Sequence, residues 1–194
     1  LDPNWAAPLI KQGNTYFELA NYTTAIESYD KAFAILGNLD EKLRYVDKIN
    51  GPKPYWLDLW FDKGEALTNL KKFDDAIALY DKLISLDPNW ANPWNSIGWA
   101  LQKQGKNDEA VTAFDKATKL NPNWAKPWNS KGWALYKTGK FDDALSSFDK
   151  AISLEPKWDK PWFNKGKIFY DLGKYSDAKQ FLEHALSLNS DPKT

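Results

Sequence analysis

The text Pro93-Trp94-Asn95-Ser96 returns as Pro127-Trp128-Asn129-Ser130, and Pro161-Trp162-Phe163-Asn164 follows at the same step of 34 residues. Gly64, Gly98, Gly132 and Gly166 keep that step, as do Ala76, Ala110, Ala144 and Ala178, and Pro88, Pro122 and Pro156. A fixed period of this length means one supersecondary unit repeated along the chain. The 194 residues therefore count stacked units rather than ordinary domains. Function in such an array is expected on a surface rather than in an enclosed pocket.

Residues 91–124 serve as the type unit. A first helix is expected from about Asn92-Pro93, because proline is tolerated in the first turn. It should run to about Gln104, where Gly105 can take the left-handed conformation that ends helices. The spacing of Trp94, Ile97, Gly98 and Leu101 follows a helical stripe. Asp108 then reads as the N-cap of a second helix, with Thr23, Asp74, Asp142 and Ser176 at the equivalent places. Its stripe is Ala110, Val111, Phe114, Ala117 and Leu120, closing at Asn121-Pro122. Gly98 and Ala110 are small where two antiparallel helices must approach closely. The product is a helical hairpin that is apolar on both flanks and cannot bury its core alone.

The series Trp94, Ile97, Gly98, Leu101, Ala110, Phe114, Ala117, Pro122 resembles the tetratricopeptide-repeat (TPR) signature. The resemblance covers 6–39, 57–90, 91–124, 125–158 and 159–192. It implies an all-α fold, a right-handed α-solenoid or superhelix of antiparallel helix pairs. The first unit carries Leu9 in place of the tryptophan, and the last carries Leu182 and Ser190 in place of the aromatic and the proline. Residues 1–5 repeat the text of 86–90 and read as the tail of a preceding repeat. Residues 40–56 are an insertion, and Leu39, Leu43, Val46 and Ile49 keep helical spacing there until Asn50-Gly51-Pro52.

Eleven tryptophans are far above ordinary usage. Trp60, Trp94, Trp128 and Trp162 occupy the signature core position and read as packing. Trp5, Trp56, Trp90, Trp124 and Trp158 precede the units and read as junction residues, with ligand contact as the alternative, since the resemblance implies that this position can border the concave surface. Trp99 and Trp133 differ, because Asn14, Glu65 and Lys167 hold the equivalent places. The resemblance puts that position on the concave face, with Asn92, Asn95, Gln102 and Lys103. Both readings of Trp99 and Trp133, ligand contact and solvent-shielded patch, stay open on sequence alone.

Acidic and basic residues balance at 26 each, which hides a gradient along the implied concave face. The first two units offer Glu18, Asp58, Asp62 and Glu65 against Lys11. The last three offer Lys103, Lys126, Lys137, Lys160 and Lys167 against Asp171. Asn95, Asn129 and Asn164 share the surface, with Tyr136, Phe163 and Tyr170 beside them. Amide side chains can both donate to and accept from a peptide backbone. The expected groove therefore comprises Asn95, Trp99, Lys103, Lys126, Asn129, Trp133, Tyr136, Lys137, Lys160, Asn164, Lys167 and Tyr170, facing an extended acidic or C-terminal peptide segment or a partner helix. The carboxylate clamp of chaperone-binding TPR domains is a poor match: its places hold Ile10, Asn14, Asp62, Asn92 and Ser96.

No catalytic, cofactor-binding or metal-ligating residues are expected. The single histidine, His184, reads as a surface residue, and cysteine is absent. Paired acids such as Asp74-Asp75 and Asp142-Asp143 recur at helix starts, where the macrodipole explains them. The mixed charge argues against nucleic acid, and no apolar run approaches the ~20 residues of a membrane span. The reading is a non-enzymatic scaffold binding a protein or peptide partner. Its rival is self-assembly into a homo-oligomer through the terminal repeats, with Ile168 and Leu186 on an exposed apolar edge.

Overall fold

A computed structural model gives the structure of residues 6–37 and 55–189. Ten helices occur among the described residues, and no strand. They are α1 (Ala7–Glu18), α2 (Tyr22–Leu36), α3 (Tyr55–Asn69), α4 (Phe73–Leu86), α5 (Ala91–Lys103), α6 (Asn107–Leu120), α7 (Ala125–Lys137), α8 (Phe141–Leu154), α9 (Asp159–Asp171) and α10 (Tyr175–Asn189). The expected tail at 1–5 and the helical reading of 40–54 lie outside the described residues. Two compact units divide the chain, Leu1–Ser96 and Ile97–Thr194, with the division inside α5.

Two kinds of turn alternate, and each explains part of the period. Within a pair the first helix ends in a Schellman-type turn, in which Lys106 N–H donates to the Leu101 carbonyl at 2.9 Å. Lys140 to Leu135 and Lys174 to Phe169 repeat it at 3.0 and 2.9 Å. Gly105, Gly139 and Gly173 stand at the left-handed position, with φ of 80°, 77° and 74°. That position is Ala20 (φ 56°) and Lys71 (φ 61°) in the first two pairs, where a side chain carries the strain. Between pairs a turn with proline second closes by Trp124 N–H to the Asn121 carbonyl at 3.3 Å, and Trp158 to Glu155 at 3.1 Å.

The expected N-caps fall elsewhere. Lys72, Lys106 and Lys140 hold the cap position without a side-chain bond, and Asp74, Asp108 and Asp142 lie inside the first turn. The short turn is the reason. One residue ends the first helix with its N–H and begins the second with its carbonyl, as Lys106 does in accepting from Ala110 N–H at 3.0 Å. The acids are left to complement the helix dipole. At Asn21 a side chain does cap, accepting from Thr24 N–H at 3.3 Å, and Thr23 is not the cap.

In the first unit, an aromatic on each second helix presses on a glycine of the first. A Cβ placed on Gly13 would lie 2.3 Å from Tyr29 Cε1, and one on Gly64 2.5 Å from Tyr80 Cε1. Both tyrosines are fully buried, and burial pushes their hydroxyls well above the ordinary range. Phe33 of α2 stacks on Trp60 of α3, with ring centroids 3.6 Å apart, which ties one pair to the next.

The second unit repeats the plan with phenylalanine. Phe114 covers Gly98 and Phe148 covers Gly132, where an added Cβ would meet ring carbons at 2.6 and 2.7 Å. Leu182 takes the role at Gly166. Asp115 of α6 binds Lys131 of α7, and Asp149 of α8 binds Lys165 of α9. Burial acts upward on the Asp115 carboxyl, but hydrogen bonds from Lys131 and Lys119 hold it below the usual range. Ile168 is not on an exposed edge: it is fully buried against Leu135, Ala144 and Phe148. One helical turn from Lys165, its place on α9 turns inward onto the preceding pair. Leu186, by contrast, is exposed.

Candidate functional site

A cavity of about 590 Å³ lies on the second unit. Its walls come from the first helices of three successive pairs, with Gly105 from the turn after α5 and Asn107 from the start of α6. Trp99, Gln102 and Lys103 project from α5, being spaced three and four apart on one helix face. Lys126, Asn129, Ser130, Trp133 and Lys137 do so from α7 by the same rule. Lys160 and Asn164 come from α9, and Trp158 from the residue that caps it. The structure thus brings eight of the expected groove residues into one concavity: Trp99, Lys103, Lys126, Asn129, Trp133, Lys137, Lys160 and Asn164.

Two features of the wall lie outside the expected groove set. Trp158 lines the cavity as well as serving as a junction residue, because its backbone is extended at the cap of α9. Ser130 also lines it. The first has a sequence signal in the 34-residue recurrence of tryptophan before each unit; the second has none.

The remaining expected residues stand apart from this cavity. Asn95 belongs to the first unit, where it is buried and its amide oxygen has no partner among the described residues. Tyr136 and Lys167 form a cluster with Asp171 that links α7 to α9. The Tyr136 hydroxyl donates to Asp171 Oδ2 at 2.5 Å, and Lys167 Nζ lies 3.4 Å from the same oxygen. Burial, then the bond to Asp171, raises the Tyr136 hydroxyl. The bond from Tyr136 lowers the Asp171 carboxyl, with help from Lys167 against desolvation. Lys167 is therefore already paired. Tyr170 is exposed and lies edge-on to Tyr175, with ring centroids 5.4 Å apart.

Inside the cavity the polar groups are unevenly satisfied. Asn164 donates from Nδ2 to Asn129 Oδ1 at 3.0 Å, leaving the Asn129 amide as donor and the Asn164 oxygen as acceptor. Lys103 Nζ sits 5.6 Å from the centre of the Trp99 ring, and Lys137 Nζ sits 5.0 Å from that of Trp133. None of the residues lining the cavity is acidic. Trp99 Nε1, Gln102 Nε2 and Ser130 Oγ are buried with no hydrogen-bond partner among the described residues.

The other chemistry-bearing residues do not gather. No cluster of three or more metal-ligating side chains occurs among the described residues, and none of their helices is long and apolar enough to cross a membrane. His184 is exposed and edge-on to Trp162 at 4.4 Å between ring centres.

Family comparison decides what kind of array this is. Models described as tetratricopeptide repeat match residues 95–161, and 6–35 with 160–192, and one described as TPR repeat matches 64–105. The chain belongs to the tetratricopeptide-repeat family. No curated protein matches it by sequence. Among solved structures, a crystal structure of MamA is similar at 20% identity and a TM-score of 0.71, covering 91% of this chain and 94% of that one. A second crystal structure of MamA aligns at 20% identity and a TM-score of 0.70, over 94% and 91%. MamA from Desulfovibrio magneticus RS-1, residue 41 to its end, aligns at 18% identity and 0.65, over 94% and 98%. At that identity the likeness shows the fold alone, which is the all-α helical solenoid of the TPR type. A TPR array is a protein-interaction scaffold, and the cavity lies on the helices that carry its first-helix face.

Proposed function

We propose that this scaffold is non-enzymatic and holds an extended acidic segment of a partner protein across repeats 91–124, 125–158 and 159–192. The observation that carries the reading is the cavity's charge: four lysines, three tryptophans and no carboxylate line one concavity. Tryptophan supplies contact area at low entropic cost, and the paired amides of Asn129 and Asn164 match a peptide group. Lys126 and Lys160 supply attraction that is sensitive to salt. Fluorescence anisotropy with a labelled nine-residue glutamate-rich peptide tests it, with a lysine-rich peptide as control. The acidic peptide should bind, and the double variant Lys126→Glu, Lys160→Glu should weaken it at least tenfold with helicity unchanged. Equal binding of both peptides, or indifference to the charge reversal, would remove the reading.

One observation favours a second reading, assembly of chains through the last pair. Phe163 is 52% and Leu186 66% exposed, and both border a second concavity of about 530 Å³ with Leu182 and Ala185. Sedimentation over a concentration series separates the two. A dimer abolished by Leu186→Glu supports assembly, and a monomer at all concentrations excludes it. Ile168 cannot serve as the test position, because its substitution would open the core.

A further inference from the structure

We propose that the concavity bordered by α9 and α10 is an isologous interface, on which a second copy of this chain seats by a two-fold rotation. This inference rests on the assembly reading above and adds how the two copies pair. Asp159, Lys160 and Phe163 border the concavity from α9, and Leu182, Ala185 and Leu186 from α10. The same registers are covered elsewhere in the array. Phe61 holds the register of Phe163, and its ring lies against Tyr80 and Trp90, with centroids 5.6 and 5.1 Å apart. In the last pair described, Leu182 stands at the register of Tyr80, and Phe163 is 52% exposed. Phe33 and Thr118 hold the register of Leu186 and are 4% and 2% exposed, with Phe33 stacked on Trp60. Leu186 is 66% exposed. An aromatic ring and an aliphatic floor thus lie side by side in water, at positions whose counterparts are packed.

The rim selects the occupant. Asp159 and Lys160 are neighbours at the start of α9, so a partner of one charge would meet a like charge at one of them. Neither carries an ion pair among the described residues. In an isologous contact each pairing occurs twice, so a two-fold rotation brings Lys160 of each copy to Asp159 of the other. The same rotation sets Phe163 of each copy on Leu182 and Leu186 of the other. A head-to-tail contact would instead use two different patches and run on into a filament. Here acid and base, ring and floor all border one concavity, so the surface carries both halves of its own complement.

Sedimentation equilibrium of the full chain, from micromolar to millimolar concentration, gives the test. The 22.3 kDa chain should double its mass and stop there. Asp159→Lys and Lys160→Asp should each raise the dissociation constant about tenfold or more, since each places two like-charged contacts in the interface. Mixed in equal amounts, the two variants should regain the parent's affinity, because every acid then meets a base. A folding defect could not be repaired by mixing, and far-UV circular dichroism checks each variant alone. A mass that climbs past two chains, or a mixture no tighter than its components, overturns the two-fold pairing. If Leu186→Glu still dissociates the parent in that case, assembly through the last pair stands without it. A chain that stays at 22.3 kDa throughout removes both.

Discussion

Replacing Gly132 by alanine sets two opposing effects against each other at a single atom. In an exposed helix the change is favourable by about 1 kcal/mol, because glycine loses more backbone freedom on folding. Here the new Cβ would lie 2.7 Å from Phe148 Cε1, 2.8 Å from Cδ1 and 3.0 Å from Cζ. Carbon atoms prefer about 3.5–4.0 Å, so the ring must retreat by nearly 1 Å. Phe148 has no room to do so: it is fully buried among Leu135, Ala144 and Ile168. Overpacking of this kind costs about 1–3 kcal/mol and exceeds the propensity gain. Gly132→Ala should therefore lower the unfolding free energy, from urea melts followed by far-UV circular dichroism, by a net of up to ~2 kcal/mol. Truncating the obstacle should reverse the sign. In a Phe148→Ala background, itself destabilised by about 3–5 kcal/mol, adding Gly132→Ala should stabilise by up to about 1 kcal/mol. Gly132→Ala that stabilises the parent chain would refute the close approach as the reason for the glycine.

Two further stability experiments use the repeats against one another. Ala20→Gly and Lys71→Gly should each raise thermal stability by about 0.5–1 kcal/mol, since both residues hold the left-handed conformation that glycine takes in the other pairs; a loss at either site would show the side chain to matter more than the strain. Lys131→Met removes the partner that holds the Asp115 carboxyl low. A depressed carboxyl contributes stability that is full above the unfolded value, about 4, and lost as pH falls through the folded one. The variant should thus trail the parent by under about 1 kcal/mol at pH 7, with the gap closing toward pH 3 in parallel melts. A gap that is constant with pH would assign the effect to lost packing instead.

The repeat was readable because each periodic residue answers one local demand. Gly98 and Gly132 lie under a phenylalanine, Pro122 and Pro156 occupy the second place of a tight turn, and Ala110 and Ala144 are fully buried. Such constraints depend on neighbours within a unit, so they leave a mark at fixed spacing. The cap positions were misplaced by two residues for the converse reason: aspartate is a strong cap in isolation, but a three-residue link leaves the cap to Lys106 and Lys140. At the site, helix-face spacing is enough to gather Trp99, Lys103, Asn129 and Lys137. It could not show that Lys167 is committed to Asp171, that Ile168 points inward, or that Trp158 reaches the cavity, since each depends on how one pair lies on the next.

The tryptophans now separate by where their N–H goes, and stability measurements can exploit that. Trp128 donates to the Pro122 carbonyl at 3.0 Å and thereby ties α7 to the turn that precedes it. Trp128→Phe keeps an aromatic ring but loses the pyrrole portion and this bond, so its cost exceeds the about 0.5–1.5 kcal/mol of the bond alone. Trp99 has a buried N–H with no acceptor among the described residues. Trp99→Phe loses the same ring area but no hydrogen bond, so it should cost less than Trp128→Phe in the free chain. Equal destabilisation by the two substitutions, read in the same thermal melts, would place Trp99 among the packing residues and remove this distinction.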